Sequence, residues 1–321
     1  MHEGCPGGGG NGSNADAGHP SPPRATLLDR QRLIPTALWG PVQAEVRGTA
    51  LDRAKLTRAE VGRHSVAFRY VGEGPPLVLL HGFLCDRRVW RRQLMDLSDQ
   101  CTVVAWDAPG AGSSSDPPDP FTITDWGHCL AQFLDVVGIE RAHVLGLSWG
   151  GLLAQEFYRL YPTRVRGLIL ADTYAGWKGS LGESVAEQRL ARCLRESSLP
   201  AEEFVARWVP VEFFTQAASQ ALQAEMSAVV SNFHPLGFRL MAKALADADT
   251  TDLLPNIKVP TLLLWGEDDR RSPLSVAEQF RDAIPSSELV VIPRAAHISN
   301  MERPEEFNAH VRRFCLANLS A

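Results

Sequence analysis

Residues 144–151 read Val-Leu-Gly-Leu-Ser-Trp-Gly-Gly, a G-x-S-x-G motif centred on Ser148 between a short apolar run and an amphipathic segment. This order predicts a strand, a sharp turn and a helix, with the serine hydroxyl on the turn and clear of the sheet. The flanking glycines leave room for the helix to begin close to the end of the strand. The N-terminus of that helix favours negative charge developing at the serine. The motif therefore predicts a nucleophilic serine, although a turn of glycine and serine also occurs as an ordinary connection between two elements.

Buried strands are predicted on both sides of this turn, because short apolar runs alternate with amphipathic segments along the chain. An antiparallel pair is expected around residues 62–63, and apolar runs follow at residues 77–80, 102–106, 142–147, 165–172, 261–265 and 288–292. Strands that alternate with helices form a parallel sheet with right-handed crossovers. The predicted fold class is therefore α/β, with a mostly parallel sheet flanked by helices.

The alternation stops between Asp172 and Pro260, where residues 183–250 show helical periodicity and no strand pattern. We interpret residues 175–250, approximately, as an inserted helical lid over the carboxyl edge of the sheet, where ligands bind in open α/β folds. The alternative is that these helices only thicken the core. The first 25 or so residues are rich in Gly, Pro, Ser and Asn, which is typical of disorder. We therefore predict a disordered or loosely docked N-terminal extension at residues 1–55 and one α/β domain at residues 56–321.

Composition narrows the class of function. The chain has 321 residues, of which 45% are hydrophobic and 21% are charged, with a formal net charge of −5. Because no basic face is implied, nucleic acid is not an expected partner. The sequence has no apolar run of membrane-spanning length and no signal-peptide pattern at its start, so no membrane association is expected. Its six cysteines lack C-x-x-C spacing, which argues against a zinc site and favours a reducing, cytoplasmic location.

A serine hydroxyl is a weak nucleophile until a base removes its proton, so Ser148 requires a histidine that a carboxylate orients. His297 follows the last predicted strand, and the acidic run Glu267-Asp268-Asp269 follows the strand before it. Both loops are expected at the carboxyl edge of the sheet, together with Ser148. The competing candidates are Asp172, at the end of an earlier strand, for the acid and His310, in a predicted surface helix, for the base.

The chain resembles the α/β-hydrolase superfamily from about residue 60 to its C-terminus, through four separated motifs. These are His81-Gly82-Phe83, residues 146–150, residues 266–273, and His297 followed by Glu302-Arg303-Pro304. Within the superfamily the pattern is similar to small-molecule lactonases and esterases, including enol-lactone hydrolases and cofactor-free haloperoxidase-type esterases. The resemblance thus implies that residues 56–321 form an α/β-hydrolase domain.

The resemblance also implies a role for each matching residue. Ser148 would be the nucleophile and His297 the base, and the family spacing G-x-x-D-x-x-x-P selects Asp269 as the acid. The backbone N–H groups of Phe83 and Trp149 would form the oxyanion hole. His81 and the loop that begins at Asp107 match family segments with structural roles. Neither a cofactor nor a metal is expected.

The expected function is hydrolysis of small-molecule carboxylic esters or lactones by a serine nucleophile, through an acyl-enzyme. A serine in place of an aspartate at residue 148 argues against the haloalkane dehalogenases and epoxide hydrolases of the same superfamily. Three alternatives stay open. One is a proline iminopeptidase-like aminopeptidase, since Trp149 resembles the elbow of those enzymes and Glu202, Glu203 or Glu212 could hold a substrate amino group. The others are a lyase or cyclase that uses the same triad, and an inactive binding protein on the same scaffold.

The predicted lid also bears on the substrate. Its aromatic residues predict either a pocket for an apolar acyl or aromatic group, or packing of the lid onto the core: Trp177, Phe204, Trp208, Phe213 and Phe214. Arg207 and Arg239 are candidates to receive a substrate carboxylate.

Overall fold

The computed structural model of the protein describes residues 55–319, apart from the side chains of residues 210 and 211. The extension predicted at residues 1–55 therefore lies outside the described residues except for its last position, and it stays a prediction. The strands are β1 (Thr57–Val61), β2 (His64–Val71), β3 (Pro76–Leu80), β4 (Thr102–Trp106), β5 (Ala142–Leu147), β6 (Val165–Ala171), β7 (Thr261–Gly266) and β8 (Ser287–Ile292).

These strands form one sheet in the order β1-β2-β4-β3-β5-β6-β7-β8. The β1–β2 hairpin turns at Gly62, as predicted, and β2 also pairs antiparallel with β4. The remaining neighbours pair in parallel. Strands β5 and β7 are buried along their whole length, which is typical of strands covered on both faces. The predicted α/β class with a mostly parallel sheet is confirmed.

Helices follow most of the strands. Within residues 55–319 they are α1 (Arg91–Asp96), α2 (Ile123–Val136), α3 (Trp149–Leu160), α4 (Gly176–Leu181), α5 (Glu183–Glu196), α6 (Ala201–Glu212), α7 (Gln220–Val230), α8 (Pro235–Asp247), α9 (Leu274–Ala283), α10 (Ser299–Glu302) and α11 (Pro304–Ala317). Local sequence sets several of their ends. Thr122 and Asp125 form a capping box at the start of α2, and Asp86 caps a 3₁₀ turn at Arg87–Trp90 that leads into α1. None of these helices combines the length and apolarity needed to cross a bilayer.

Helices α4 to α8 occupy the interval between β6 and β7 where the insertion was predicted. Their aromatic side chains are buried, and Phe204 stacks on both Trp208 and Phe233, with ring centroids 5.4 and 4.2 Å away. Phe83, in the loop that follows β3, contacts Trp177, Trp208 and Phe238 of the insertion. Because that loop leaves the carboxyl end of β3, these contacts place the insertion over the carboxyl edge of the sheet. Its role as a lid stays a prediction.

Candidate active site

Ser148 lies on the turn between β5 and α3 in a conformation that few side chains adopt. Its φ is +54° and its ψ is −117°, so its backbone is strained. The surrounding structure holds this conformation, because the Ser148 N–H donates to the carbonyl of Ala171 at 2.9 Å and the Thr173 hydroxyl donates to the carbonyl of Ser148. The neighbouring sequence explains how the turn fits. A Cβ at Gly146 would overlap the carbonyl of Gly150, and one at Gly150 would overlap that of Leu80.

Three predicted residues from separate loops meet at this turn. His297 Nε2 lies 2.9 Å from Ser148 Oγ, and His297 Nδ1 lies 2.9 Å from Asp269 Oδ2. All three residues are buried. A carboxylate at Nδ1 favours the tautomer that carries its proton there, which leaves the Nε2 lone pair facing the serine hydroxyl. The arrangement is therefore able to move a proton from Ser148 to His297.

The loop after β7 fixes the carboxylate of Asp269. Asp269 Oδ1 accepts hydrogen bonds from the backbone N–H groups of Arg271 at 2.8 Å and of Ser272 at 3.1 Å, and the Ser272 hydroxyl donates to Oδ2. Trp265 Nε1 in turn donates to the Ser272 carbonyl at 2.7 Å. Ser272 was not predicted as a supporting residue, although it lies inside the G-x-x-D-x-x-x-P segment that ends at Pro273.

Asp172, the competing acid, makes other contacts. Its Oδ1 accepts from the N–H of Gly266 at 2.7 Å and its Oδ2 accepts from the hydroxyl of Ser299 at 2.6 Å. Burial, followed by the nearby charge of Asp269, raises the pKa of Asp172 well above its ordinary value. Asp172 thus connects the end of β6 to the end of β7 and to the start of α10, and it does not orient His297.

The other competing residues also make contacts elsewhere. Glu267 accepts a hydrogen bond from the N–H of Arg294 at 3.1 Å, and the N–H of Asp268 donates to the carbonyl of Ala295. His310 lies in α11, where its Nδ1 is 3.5 Å from Arg313. Asp269 and His297 thus form the hydrogen-bonded chain to Ser148, and among residues 55–319 the side chains of Glu267, Asp268 and His310 make no hydrogen bond to any of the three.

The loop proposed to supply one oxyanion donor runs directly past the serine. A Cβ at Gly82 would lie 3.3 Å from Ser148 Cβ, so the peptide between Gly82 and Phe83 is adjacent to the Ser148 side chain. Trp149 is the first residue of α3, so its N–H has no partner within the helix. Within residues 55–319, neither the Phe83 N–H nor the Trp149 N–H donates a hydrogen bond. Both groups are thus available to an oxyanion at Ser148.

His81 and Asp107 hold the loops on this side of the site. His81 Nδ1 donates to the carbonyl of Gly82 at 2.8 Å, and its Nε2 accepts from the N–H of Ala108 at 3.0 Å. Burial lowers the pKa of His81, which suits a neutral ring with one donor and one acceptor. The Asp107 carboxylate accepts from the N–H of Arg87 at 2.8 Å and pairs with its guanidinium. These contacts agree with the structural roles implied by the family motifs.

The environment of His297 predicts the pH dependence of activity. Burial lowers the pKa of His297 below its ordinary value of 6.5, against the opposing effect of the Asp269 charge. Since a base must be neutral, kcat/KM should fall as the pH drops through this lowered pKa and should be constant above it up to neutral pH. The measurement is a profile with a neutral ester between about pH 4.5 and 8.5. An acid limb centred above the ordinary histidine value would contradict this account.

A groove of about 530 Å³ leads to His297 from the side of α6. We call it the outer groove, and its wall includes His297, Phe214, Thr215, Asp268, Arg270 and Arg294. A small molecule in this groove would therefore lie beside His297. Among residues 55–319, no group of three or more His, Cys, Asp or Glu side chains is arranged to hold a metal ion.

Comparison with known proteins identifies the family to which this fold belongs. The family model described as "alpha/beta hydrolase fold" matches residues 75–304. The chain is 30% identical over 255 residues to 3-oxoadipate enol-lactonase 2 of Acinetobacter baylyi, covering 79% of this chain and 92% of that protein. It is 30% identical over 254 residues to a pimeloyl-[acyl-carrier protein] methyl ester esterase of Vibrio parahaemolyticus, covering 76% and 95%. A thermophilic esterase from Thermogutta terrifontis superposes with a TM-score of 0.75 at 30% identity, covering 82% of this chain and 99% of that one.

Proposed function

Given that the chain belongs to the alpha/beta hydrolase fold family, we propose that it is a serine hydrolase of small-molecule carboxylic esters or lactones. The observation that carries the proposal is the continuous chain of contacts from Ser148 Oγ through the His297 ring to Asp269. Names of its relatives support the bond type, since an enol-lactonase and a methyl ester esterase both cleave a carboxylic ester linkage. Small esters or lactones are accordingly the proposed partners of this enzyme.

The proposed reaction proceeds through an acyl-enzyme. His297 Nε2 accepts the Ser148 proton while Oγ attacks the substrate carbonyl, and the tetrahedral oxyanion binds the N–H groups of Phe83 and Trp149. His297 then gives its proton to the leaving alkoxide. In the second half, His297 takes a proton from water, which attacks the acyl carbonyl, and Ser148 leaves with the proton returned to its oxygen. Asp269 stabilises the imidazolium in both halves.

The strained backbone at Ser148 supports this assignment. A non-glycine residue with positive φ persists only where the surrounding structure over-determines it, and such positions cluster at functional sites. Here the helix start at Trp149 and the close-packed glycines fix the turn, so the hydroxyl faces His297 without a search over backbone conformations. This preorganisation favours attack on a bound carbonyl.

The aminopeptidase alternative needs a carboxylate that is free to bind a substrate amino group. Glu212 is not free, because one oxygen accepts from Arg192 at 2.5 Å and the other from Arg271. Glu203 pairs with Arg207 at 2.7 Å on the outside of α6. These pairings favour ester hydrolysis over the aminopeptidase alternative.

A comparison of the rates at which the protein cleaves esters and an amide tests the proposal. We expect turnover of 4-nitrophenyl acetate and of a small lactone, with no measurable release of 4-nitroaniline from proline 4-nitroanilide. The reason is that the proposed site has a serine, a base and an oxyanion hole, whereas Glu203 and Glu212, two of the three carboxylates that could hold an amino group, are paired with arginines. Initial rates with all three substrates at one enzyme concentration give the answer. Faster cleavage of the prolyl amide than of either ester would overturn the assignment.

A further inference from the structure

A second cavity, of about 280 Å³, lies next to the outer groove, between α5, α6 and the loop that follows β7. Glu212 and Arg270 belong to the walls of both spaces. We call it the arginine cavity, because four arginines line it together with two tryptophans: Arg189, Arg192, Arg270, Arg271, Trp177 and Trp208. Because it adjoins the outer groove, the arginine cavity is a candidate site for one part of a substrate.

The charges around the arginine cavity do not balance. Glu212 is the carboxylate in its wall, and it is shared by Arg192 and Arg271. Burial favours its neutral form, but the charges of Arg271 and Arg192 prevail and lower the pKa of Glu212. Arg192 also lies 3.3 Å from Glu196. Arg189 donates to the Tyr174 hydroxyl at 3.1 Å and to the Arg271 carbonyl at 3.0 Å. Neither Arg189 nor Arg270 forms an ion pair within residues 55–319, so the cavity carries excess positive charge although the whole chain has a net charge of −5.

Residues that line this cavity also carry buried donors that lack acceptors. Trp177 Nε1, Trp208 Nε1 and Arg271 Nε are buried and make no hydrogen bond in the described part of the chain. Buried polar atoms normally have partners, and all three of these groups are donors only.

The arginine cavity borders the reacting groups. The backbone N–H of Arg271 donates to Asp269, while its guanidinium carbon lies 5.2 Å from the centroid of the Phe83 ring. The rings of Trp177 and Trp208 meet the same phenyl ring edge to face, at 6.1 and 6.0 Å. The cavity also shares Glu212 and Arg270 with the outer groove, whose wall includes His297, so a short molecule bound beside His297 could reach into the cavity.

We propose that the arginine cavity binds a free carboxylate at the far end of the substrate, so that the natural substrate is a small ester or lactone bearing a second, ionised carboxyl group. The inference rests on the proposed ester hydrolysis. A carboxylate fits because the cavity already holds one in this manner: the two oxygens of Glu212 are divided between two guanidinium groups. Arg189 and Arg270 are the residues expected to bind the second carboxylate.

Two esters of equal length test the inference: monomethyl adipate, and methyl adipamate, in which an amide replaces the free carboxylate. Initial rates of methanol release at low ionic strength give kcat/KM for each. We expect kcat/KM to be about tenfold or more higher for the charged ester, since only its carboxylate forms a charge-assisted hydrogen bond with the arginines. The preference should shrink about tenfold in R189Q and should also fall in R270Q.

Arg207→Gln is the matched control, because Arg207 is a half-exposed arginine of α6 that pairs with Glu203 outside the cavity. It should keep the preference of the unaltered protein. R270Q changes an exposed side chain, so it provides a readout even if R189Q folds poorly. Cleavage of methyl adipamate at the same efficiency as monomethyl adipate, or a preference unaffected by both variants, would overturn the inference and leave ester hydrolysis standing.

Equilibrium binding separates the cavity from the chemistry. Calorimetric titration with adipamate, the monoamide anion of adipic acid, should show binding that weakens about tenfold in R189Q and is unchanged in R207Q. Adipamate that does not bind, or that binds R189Q equally well, would also overturn the inference. If adipamate binding depends on Arg189 but neither ester is cleaved, the proposed hydrolysis fails and anion binding by the cavity stands.

Discussion

Replacing Ser148 by alanine is expected to lower kcat for ester hydrolysis by roughly 10⁵- to 10⁶-fold, the loss seen when the nucleophile of a catalytic triad is removed. Without Oγ, His297 has no hydroxyl to deprotonate and no acyl-enzyme forms. A small residual rate should persist, because the oxyanion donors and the binding surfaces are unaltered. The measurement is kcat with 4-nitrophenyl acetate, using protein free of contaminating esterases.

The control for this variant is another buried serine. Ser114 lies in the loop after β4, where its hydroxyl donates to the Asp107 carbonyl and accepts from the N–H of Ala67. Ser114→Ala should lose a little stability and keep kcat within about threefold, since it touches no reacting group. Near-normal turnover by Ser148→Ala, with an intact circular dichroism spectrum, would exclude Ser148 as the nucleophile.

The second large effect concerns the acid. Asp269→Asn is expected to lower kcat by about 10⁴-fold, because an amide at this position no longer enforces the tautomer that leaves Nε2 free to accept a proton. The loop geometry should survive, since the asparagine oxygen is still able to accept from Arg271 and Ser272. Steady-state kinetics on the purified variant measure the loss.

Asp172→Asn is the matched comparison, because Asp172 is equally buried and lies close to the same site without touching His297. It should keep kcat within about tenfold and should lower the free energy of unfolding by about 1–3 kcal/mol, since one of its two donors loses an acceptor. Urea unfolding and the same kinetic assay separate the two effects. Equal losses of kcat in the two variants would mean that the acid is misassigned.

The fold was predictable because its signals are local. Short-range patterns in the sequence correspond directly to elements of the sheet. They include the apolar runs of β5 and β7 and the glycine-serine turn at residues 146–150. Of the glycines beside Ser148, Gly146 approaches Gly150 within the same turn, whereas Gly150 approaches the carbonyl of Leu80, which is far away in the chain. Sequence reasoning located the insertion between β6 and β7 for the same reason, since helical periodicity replaces the strand pattern there.

The choice of acid was less accessible from the sequence. Asp172 and Asp269 both follow buried strands, so position along the chain does not separate them, and only the resemblance to a family favoured Asp269. The structure separates the two aspartates by their contacts. The tight loop from Gly266 to Ser272 turns its backbone N–H groups onto the Asp269 carboxylate and aims it at His297.

The arginine cavity lay beyond sequence reasoning. Arg189 lies in α5 and Arg271 lies in the loop after β7, so the two are far apart in the chain. From sequence alone, an arginine on a helix is normally predicted to be exposed to solvent. Arg207 was predicted as one candidate to receive a carboxylate, yet it pairs with Glu203 on the outside of α6. The cluster forms only because tertiary packing brings α5, α6 and the acid loop together.

The central claim is that Ser148 is an activated nucleophile, and labelling with a fluorophosphonate tests it most directly. Intact-protein mass spectrometry should show one adduct per chain, and peptide mapping should place it on Ser148. The adduct should be absent from Ser148→Ala. Absence of any adduct, or an adduct on a different residue that persists in Ser148→Ala, would contradict the account.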